Sequence, residues 1–453
     1  MHTLKVTLKQ HTPLIHFQHD QEGATLRASE VKPRLDKYIL SKLTLEGRKE
    51  GIKEGWIKSK NGNTWLDYKM RIVPFQRDKN REKDKMSLYF GNLNATSKKH
   101  PSFYNMIEMT ISAIKEELTT LIHNCVIDFF LIHNFGTRQT KGYGSFSVVE
   151  INGEDKLGGK PIRDIKPHGY VSFFISDKKD VFSVIGLLHK TLRSGINGPS
   201  PYSLYFKSLL FAYADNKRIT WDKRSIKYYF LNEETKKEVE KTRMENLNRE
   251  KDKKGTLPKK SDPTDNENYR HWKKPANDRY GKENLRDYLG FSSNESWMAY
   301  DTGVFQLDKD NSAKTNKNGE YVLKKMTVWK SFDKDFKDIG RFKSPIIYKP
   351  IQLENESWLV YVFANDDSIS ALSGKKVYYK TNMPKTHKFD LEMQSSFSVE
   401  KFLKESFSLG ENVKNFFSVN YKLFDREIST NHINNDNYDT IINVFKELEK
   451  NKK

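Results

Sequence analysis

Residues 135–147 read Phe-Gly-Thr-Arg-Gln-Thr-Lys-Gly-Tyr-Gly-Ser-Phe-Ser, a spacing of residue types suited to phosphate chemistry. Gly136, Gly142 and Gly144 alternate with the cations Arg138 and Lys141 and with Tyr143. Glycine serves where φ must be positive or where a bulky partner approaches the main chain. Cations at such a surface suit phosphate oxygens, and an exposed Tyr143 gives a base a face to stack on. Lys141-Gly142-Tyr143-Gly144 also meets the first four positions of the octapeptide K/R-G-F/Y-G/A-F-V-x-F/Y of RRM sheets. The match ends at Ser145 and Phe146, and a plain glycine-rich hairpin turn fits the same residues.

Two further segments carry similar ingredients. Leu26-Arg27-Ala28-Ser29-Glu30-Val31-Lys32-Pro33-Arg34 opens a helix-like stretch. Free N–H groups and the dipole at a helix start favour anions, so Arg27, Lys32 and Arg34 form a candidate phosphate site there. Solvated charge on an amphipathic helix explains them equally well. Arg193 stands in Leu192-Arg193-Ser194-Gly195, where Gly195 reads as a helix C-cap, and Lys343 precedes a strand in Arg341-Phe342-Lys343-Ser344-Pro345.

Candidates for catalysis are confined to one polar loop. His11, His16, His19 and Asp20 lie in or beside it, and a loop imidazole can act as general acid or base without metal. The spacing selects none of them, and Gln18 and Gln21 fit a plain polar loop; His16 and His19 are carried as the catalytic candidates. The histidines lack the i, i+4 spacing of a zinc helix, and neither a P-loop nor a dinucleotide fingerprint occurs. No metal and no cofactor are expected.

Lys and Arg number 79 against 59 Asp and Glu, a formal charge of +20 with a pI near 9.4. So large a field favours an anionic partner, nucleic acid before membrane. No apolar run approaches the ~20 residues that span a bilayer, and the basic residues are spread along the chain, so no membrane partner is expected. The single cysteine, Cys125, excludes an internal disulfide and a Cys-based zinc site, and its apolar neighbours make it a core residue. The N-terminus Met-His-Thr-Leu-Lys-Val lacks the apolar core of a signal peptide, so a cytoplasmic location is expected.

The elements that must position these residues follow from periodicity. Leu4, Val6 and Leu8 alternate with polar residues as in a half-buried strand. Val31, Leu35, Tyr38 and Ile39 share one helix face, with Ser29 as N-cap, a start near Glu30 and Pro33 in the first turn. Strands are read at 65–73 and 86–90, a helix at 106–122, a short buried run at 126–132 leading into the glycine loop, and a β-prone run at 146–151. That order is the βαββαβ plan, in which helices cover one sheet face and leave the other open to a ligand. A strand at 169–175 and helices at 180–192 and 205–213 extend this half.

Residues 232–267 are dense in Glu, Lys, Arg and Asn with few large apolar side chains, which reads as a charged insertion. Beyond it, strands at 322–329, 345–350, 358–363 and 376–379 and helices at 399–407 and 438–448 give a second mixed domain. The expected architecture is α+β: a ferredoxin-like (RRM-like) domain over 1–231, a charged insertion over 232–284, and a second ferredoxin-like domain over 285–453.

Thr12-Pro13-Leu14, then Leu26 to Arg34, then Phe135 to Phe146 occur in the order seen in the RAMP superfamily of CRISPR effector subunits. The chain most resembles RAMP subunits that cap one end of the type III-B (Cmr) complex, whose R-x-x-x-G-[FY]-G-S segment also lies mid-chain. Leu192-Arg193-Ser194-Gly195 and Lys343-Ser344-Pro345 resemble later landmarks of that family. The chain departs from it at His16 and Phe17, and at Pro33, where glycines are usual.

The resemblance implies two ferredoxin-like domains in a non-catalytic subunit that contacts the 3′ region of a guide RNA and its target RNA in antiviral defence. Other RAMP subunits of the interference complex are its implied protein partners. Arg27, Lys32, Arg34, Arg138, Lys141 and Tyr143 are the implied RNA contacts, with Arg193 and Lys343 beside them, while Gly136, Gly142 and Gly144 let the backbone approach. A metal-independent endoribonuclease that processes guide precursors and a protein scaffold without an RNA role are the alternatives.

Overall fold

The computed structural model describes residues 1–15, 25–77, 103–155, 170–176, 178–197, 205–206, 208–219, 283–292, 297–309, 314–317, 322–337, 340–381, 388–414 and 436–451, with single positions between 237 and 252. Strand 86–90, His16, His19, Asp20 and nearly all of the charged insertion lie outside the described residues. No described helix is long and apolar enough to cross a membrane.

The chain is α+β. Its first layer pairs β1 (His2–Gln10), β2 (Tyr68–Arg77), β3 (Tyr104–Ala113) and β4 (Phe146–Ile151) in the antiparallel order β2-β3-β1-β4, extended by Glu154–Asp155. With α1 (Ala28–Lys42) after β1 and α2 (Glu116–Ile132) after β3, this is the strand order of a βαββαβ chain. Leu4, Val6 and Leu8 of β1 and Ile107, Met109 and Ile111 of β3 face the helices, where Val31, Leu35, Ile39, Leu118, Ile122 and Val126 complete the core.

The plan holds, but its second half is built from other residues than expected. Residues 106–122 are not one helix. Ile107, Met109, Ile111 and Ala113 are buried at period two between Glu108, Thr110 and Ser112, which makes 104–113 a strand. The helix begins only at Glu116 and absorbs the run at 126–132. Helix α1 starts at Ala28 with Arg27 as its N-cap, so Pro33 falls inside the helix and not in the first turn. The missing N–H of Pro33 faces Ser29, and both residues are exposed, so the unpaired carbonyl meets water.

The second body begins earlier than residue 285. Strand β5 (Tyr170–Ile175) leads through α3 (Val181–Arg193) and pairs with β7 (Trp358–Ala364), itself paired with β6 (Ile346–Gln352), in the antiparallel order β6-β7-β5. Phe173, Ile185 and Leu188 therefore pack with Tyr348, Val360 and Val362, and with helices α4 (Val399–Phe407) and α5 (Asp436–Lys450), across a division drawn at residue 231. A five-stranded sheet of residues 283–284, 388–393, 376–381, 323–331 and 297–305 adjoins this core. It encloses the ion pair Lys330–Asp287 (2.5 Å), both partners 1% exposed.

The two bodies meet along β6. Leu131 at the end of α2 packs on Ile351, Leu359, Tyr361 and Phe363. Around this apolar patch the contacts are polar. Asn134 Nδ2 donates to Tyr348 O (2.7 Å), Ser145 Oγ to Pro350 O (2.7 Å), and Tyr348 N to Thr140 O (3.2 Å). Lys349, fully buried, donates to His133 O (2.9 Å) and Phe146 O (2.7 Å), and burial pushes its ammonium well below the usual lysine range. Gln352 N donates to His11 Nδ1 (3.1 Å), so His11 Nε2 gives its proton to Ser147 Oγ (2.7 Å).

Glycines make this joint possible. A Cβ at Gly144 (φ +66°) would lie 2.0 Å from Phe135 O, and one at Gly142 (φ +88°) would meet Pro350 at 3.0 Å and Ile185 at 3.1 Å. Gly144→Ala should therefore lower stability by at least about 2 kcal/mol. Gly153→Ala (φ +80°, nothing within 4 Å) should lose only about 1 kcal/mol. Urea midpoints of the two variants test this, and equal losses would contradict the steric account.

Two histidines at the joint tie stability to pH. Burial brings His133 down to about 4, helped by Arg34 and Lys349, although its Nδ1–H donates to Phe129 O (2.9 Å). Burial, Arg193 and Lys141 bring His189 down to about 3. Each is neutral when folded and takes a proton on unfolding, so stability falls as pH drops from 6.5 towards those values, by up to about 1.4 kcal/mol per histidine per pH unit. Melting curves between pH 7 and 5 should show the loss, and His189→Asn should reduce its slope.

Candidate nucleic-acid interface

The glycine loop is held from below before it presents anything to solvent. Phe135 is buried among Phe129, Phe130 and Phe146, and Phe135 N donates to Gly144 O (2.9 Å), closing the loop's neck. The segment after β1 lies along it. Thr137 N donates to Ile15 O (2.8 Å), Gly144 N to Pro13 O (2.9 Å), and Thr12 Oγ1 to Gly142 O (2.7 Å). Helix α1 adds Glu30 and Arg34, one turn apart. Glu30 Oε1 accepts from Gly136 N (2.7 Å), while Arg34 Nη1 donates to Asn134 O (2.8 Å) and Gln139 Oε1 (2.7 Å).

Several residues read from the sequence as RNA contacts are thus engaged within the protein. Arg34 staples α1 to the loop. Lys32 Nζ donates to Asp36 Oδ2 (2.8 Å) and Leu66 O (2.9 Å) and sits 4.2 Å from the centre of the Tyr68 ring. The Cβ directions of Gly136, Gly142 and Gly144 are filled by Ile15, Pro350 and Phe135, so these glycines admit protein and not a ligand. Tyr143 is not an exposed platform: it is 7% exposed and stacked on Phe182, with ring centroids 4.1 Å apart and planes at 16°.

The RRM comparison fails for a related reason. The helix-free face of the first sheet shows Lys5 and Thr7 on β1 and Glu108, Thr110 and Ser112 on β3, with no aromatic ring among them, while Tyr104 at the start of β3 packs into the core. Base stacking of the RRM kind has no platform there.

What the loop does present is charge. Arg138 adopts φ +58° at the turn closed by Lys141 N donating to Arg138 O (2.8 Å), and Lys141 bridges to Tyr348 of β6. The contacts Gly142–Ile185 and Tyr143–Phe182 seat the loop on α3, whose last turn carries Lys190 and Arg193. Gly195 (φ +73°) ends that helix, its N–H donating to Lys190 O (2.7 Å), which fixes the two cations at the joint. Arg193 Nη2 donates to Gly290 O (2.5 Å).

The surrounding protein, with Arg138, Arg193 and Lys190, holds the Lys141 ammonium below the usual lysine range. Lys343 is lowered by burial and by Arg34, with Glu30 partly offsetting them. Four cations from two bodies thus crowd one surface, and a phosphate placed there relieves their mutual repulsion. Lys190 and the ring of Phe182 were missed in the sequence because helical residues gave no sign of facing a loop 50 positions away. Arg27 remains at the start of α1.

Of the histidines in the catalytic reading, His11 alone falls on described residues. His11 is 2% exposed and spends both ring nitrogens on the joint, while His16 and His19 lie outside the described residues. Among the described residues no group of three or more His, Cys, Asp or Glu side chains is placed to hold a metal ion.

Comparison with known proteins bears on both bodies. The Cmr1 N-terminal domain family matches residues 1–196, and the Cmr1 C-terminal domain family matches residues 205–427. No curated protein sequence matches. Among solved structures the chain is similar to apo Cmr1 from Pyrococcus furiosus, at 12% identity and TM-score 0.27, covering 41% of this chain and 70% of that one. It is also similar to a chain of the type III-B Cmr-beta complex bound to cognate target RNA, at 15% identity and TM-score 0.21, covering 33% of this chain and 59% of that one. With both domain families matched in order along most of its length, the chain belongs to the Cmr1 family, RAMP proteins of the type III-B CRISPR (Cmr) complex.

Proposed function

We propose that this Cmr1-family protein is a non-catalytic RNA-binding subunit of a cytoplasmic type III-B CRISPR ribonucleoprotein, acting in antiviral defence. Both of its bodies follow the ferredoxin-like plan in this reading, and other RAMP subunits flank it. It contacts the 3′ region of the guide RNA and the target RNA through the joint between the bodies. The observation that carries the reading is the cation cluster of Arg138, Lys141, Lys190 and Arg193, mounted on a loop and a helix end that the joint holds together. Family membership supports the identity of the polyanion.

Phosphate contacts carry the affinity in this site, and stacking by Tyr143 is no part of it, because Phe182 covers the ring. Arg138→Ala with Lys141→Ala should weaken RNA binding for all sequences and reduce the slope of log K against log salt by about 0.7 per lost phosphate contact. Lys190→Ala should act in the same direction. A double variant with the wild-type slope would remove these residues from the interface.

The protein alone should leave guide precursors and target RNA intact, with EDTA or with added magnesium. A discrete cut that survives in EDTA and disappears in His16→Ala or His19→Ala would replace this reading with a metal-independent endoribonuclease. Absence of salt-sensitive RNA binding, together with stable complexes with neighbouring subunits, would replace it with a scaffold.

A further inference from the structure

The helix-free face of the first sheet carries cations that take no part in the joint, and the strand register fixes which side chains share it. Arg71, Thr110 and Lys5 stand directly opposite one another across β2, β3 and β1, and Lys69, Ser112 and Thr3 do so one row along. Ile111 and Leu4, paired between these rows, point to the helices instead. The cations therefore form a triangle of roughly 7 Å along β2 and roughly 10 Å across to β1. The hydroxyls of Thr3, Thr110 and Ser112 lie among them.

Lys5, Lys69 and Arg71 are exposed, and none is in an ion pair with another described residue. Carboxylates bound the patch. Asp67, just before β2, pairs with Lys58 (3.9 Å). Glu108 and Glu150 stand in the next row with Val73 and Thr7, where Glu108 accepts from Thr110 Oγ1 (3.4 Å) and Glu150 from Thr7 Oγ1 (3.3 Å). Edge protection explains part of the charge. β2 is a sheet edge, and Lys69, Arg71, Pro74 and the register shifts between Pro74 and Arg77 close it to an added strand. Lys5 has no such explanation, because β1 is a central strand with neighbours on both sides.

A partner must then lie on the face and not along its edge. Neither row of the patch holds an apolar side chain, whereas a protein partner calls for an apolar centre. Cations interleaved with hydroxyls suit phosphate oxygens and ribose 2′-hydroxyls, and the rows offer no ring to a base. We propose that this face binds the sugar–phosphate backbone of a single RNA strand without reading its bases. It is a second RNA surface, at the other end of β1 from the glycine loop. About 17 Å of strand separates Lys5 from Gln10, and the next residue, His11, donates through its N to Ser145 O at the loop's neck (2.9 Å). The face does not depend on the joint's being an RNA surface.

Anisotropy of a fluorescent short oligouridylate on the full chain, over a range of salt, tests it. Salt-sensitive binding should persist in the Arg138→Ala, Lys141→Ala protein. Adding Lys5→Gln, Lys69→Gln and Arg71→Gln should then reduce the slope of log K against log salt by about 2, at about 0.7 per lost phosphate contact. The melting temperature should not move, since these side chains are exposed. Glu108→Gln should tighten binding by removing a carboxylate beside the patch, a change that damage to the fold would not produce. The proposal is overturned if the joint variant alone abolishes binding, or if the added substitutions change neither affinity nor slope. It is also overturned if polyglutamate displaces the RNA as readily as unlabelled oligouridylate does, which would assign the face to an acidic protein. Tighter binding of an oligothymidylate than of the oligouridylate would overturn the assignment to RNA. A joint variant with the wild-type slope, beside a face variant that loses it, would remove the joint from the interface and leave this face in it.

Discussion

The carbonyl of Phe135 occupies the space that a side chain at Gly144 would need, 2.0 Å from the position of its Cβ. That approach lets Phe135 N reach Gly144 O and draws the two ends of the glycine loop together. Asn134 and Ser145 are then neighbours, so their side chains can reach Tyr348 O and Pro350 O on the strand of the other body. A loop that looks built to admit a ligand is instead the part that fixes two domains. Its cations inherit their position from that joint.

The electrostatics of the joint run against stability and are carried by packing. Crowding Arg138, Lys141, Lys190 and Arg193 costs energy in the absence of an anion, and Lys349 is buried with only carbonyl partners. Apolar packing adds to the hydrogen bonds that hold the surfaces together: the Leu131–Tyr361 cluster and the stack of Tyr143 on Phe182. Burial of this kind does not depend on salt, so the cations stay preorganised whether or not an anion is bound. Binding then pays little conformational entropy.

Much of the fold was legible because strand and helix periods are local. Phe146–Ile151 and Val399–Phe407 form as read, and Asp180 caps α3 by accepting from Ser183 N. The misreading at 106–122 came from a segment where a strand ends in Ala113 and a helix starts at Glu116 almost without a break, so apolar residues of both periods overlap. Tyr143 and Lys190 were illegible for another reason. Whether a ring is covered, or whether two cations meet, depends on contacts between bodies, and β5 and β7 bring those together from positions nearly 200 residues apart.

The same limit explains why a basic residue's role could not be read from its neighbours in sequence. Arg34 and Arg138 are both arginines beside the glycine loop, yet Arg34 lies where Asn134 O, Gln139 Oε1 and Glu30 supply acceptors, and it becomes a staple. Lys32 is consumed in the same way by Asp36, Leu66 O and the Tyr68 ring. Lys141 is turned towards other cations, and its charge is left to be matched from outside. The supply of acceptors around each cation, and not its residue type or motif position, decides whether it is consumed within the protein, as Arg34 and Lys32 are. A cation with carbonyl and carboxylate partners at 2.7–2.9 Å has already made its charge-assisted bonds, and an incoming phosphate would have to displace them.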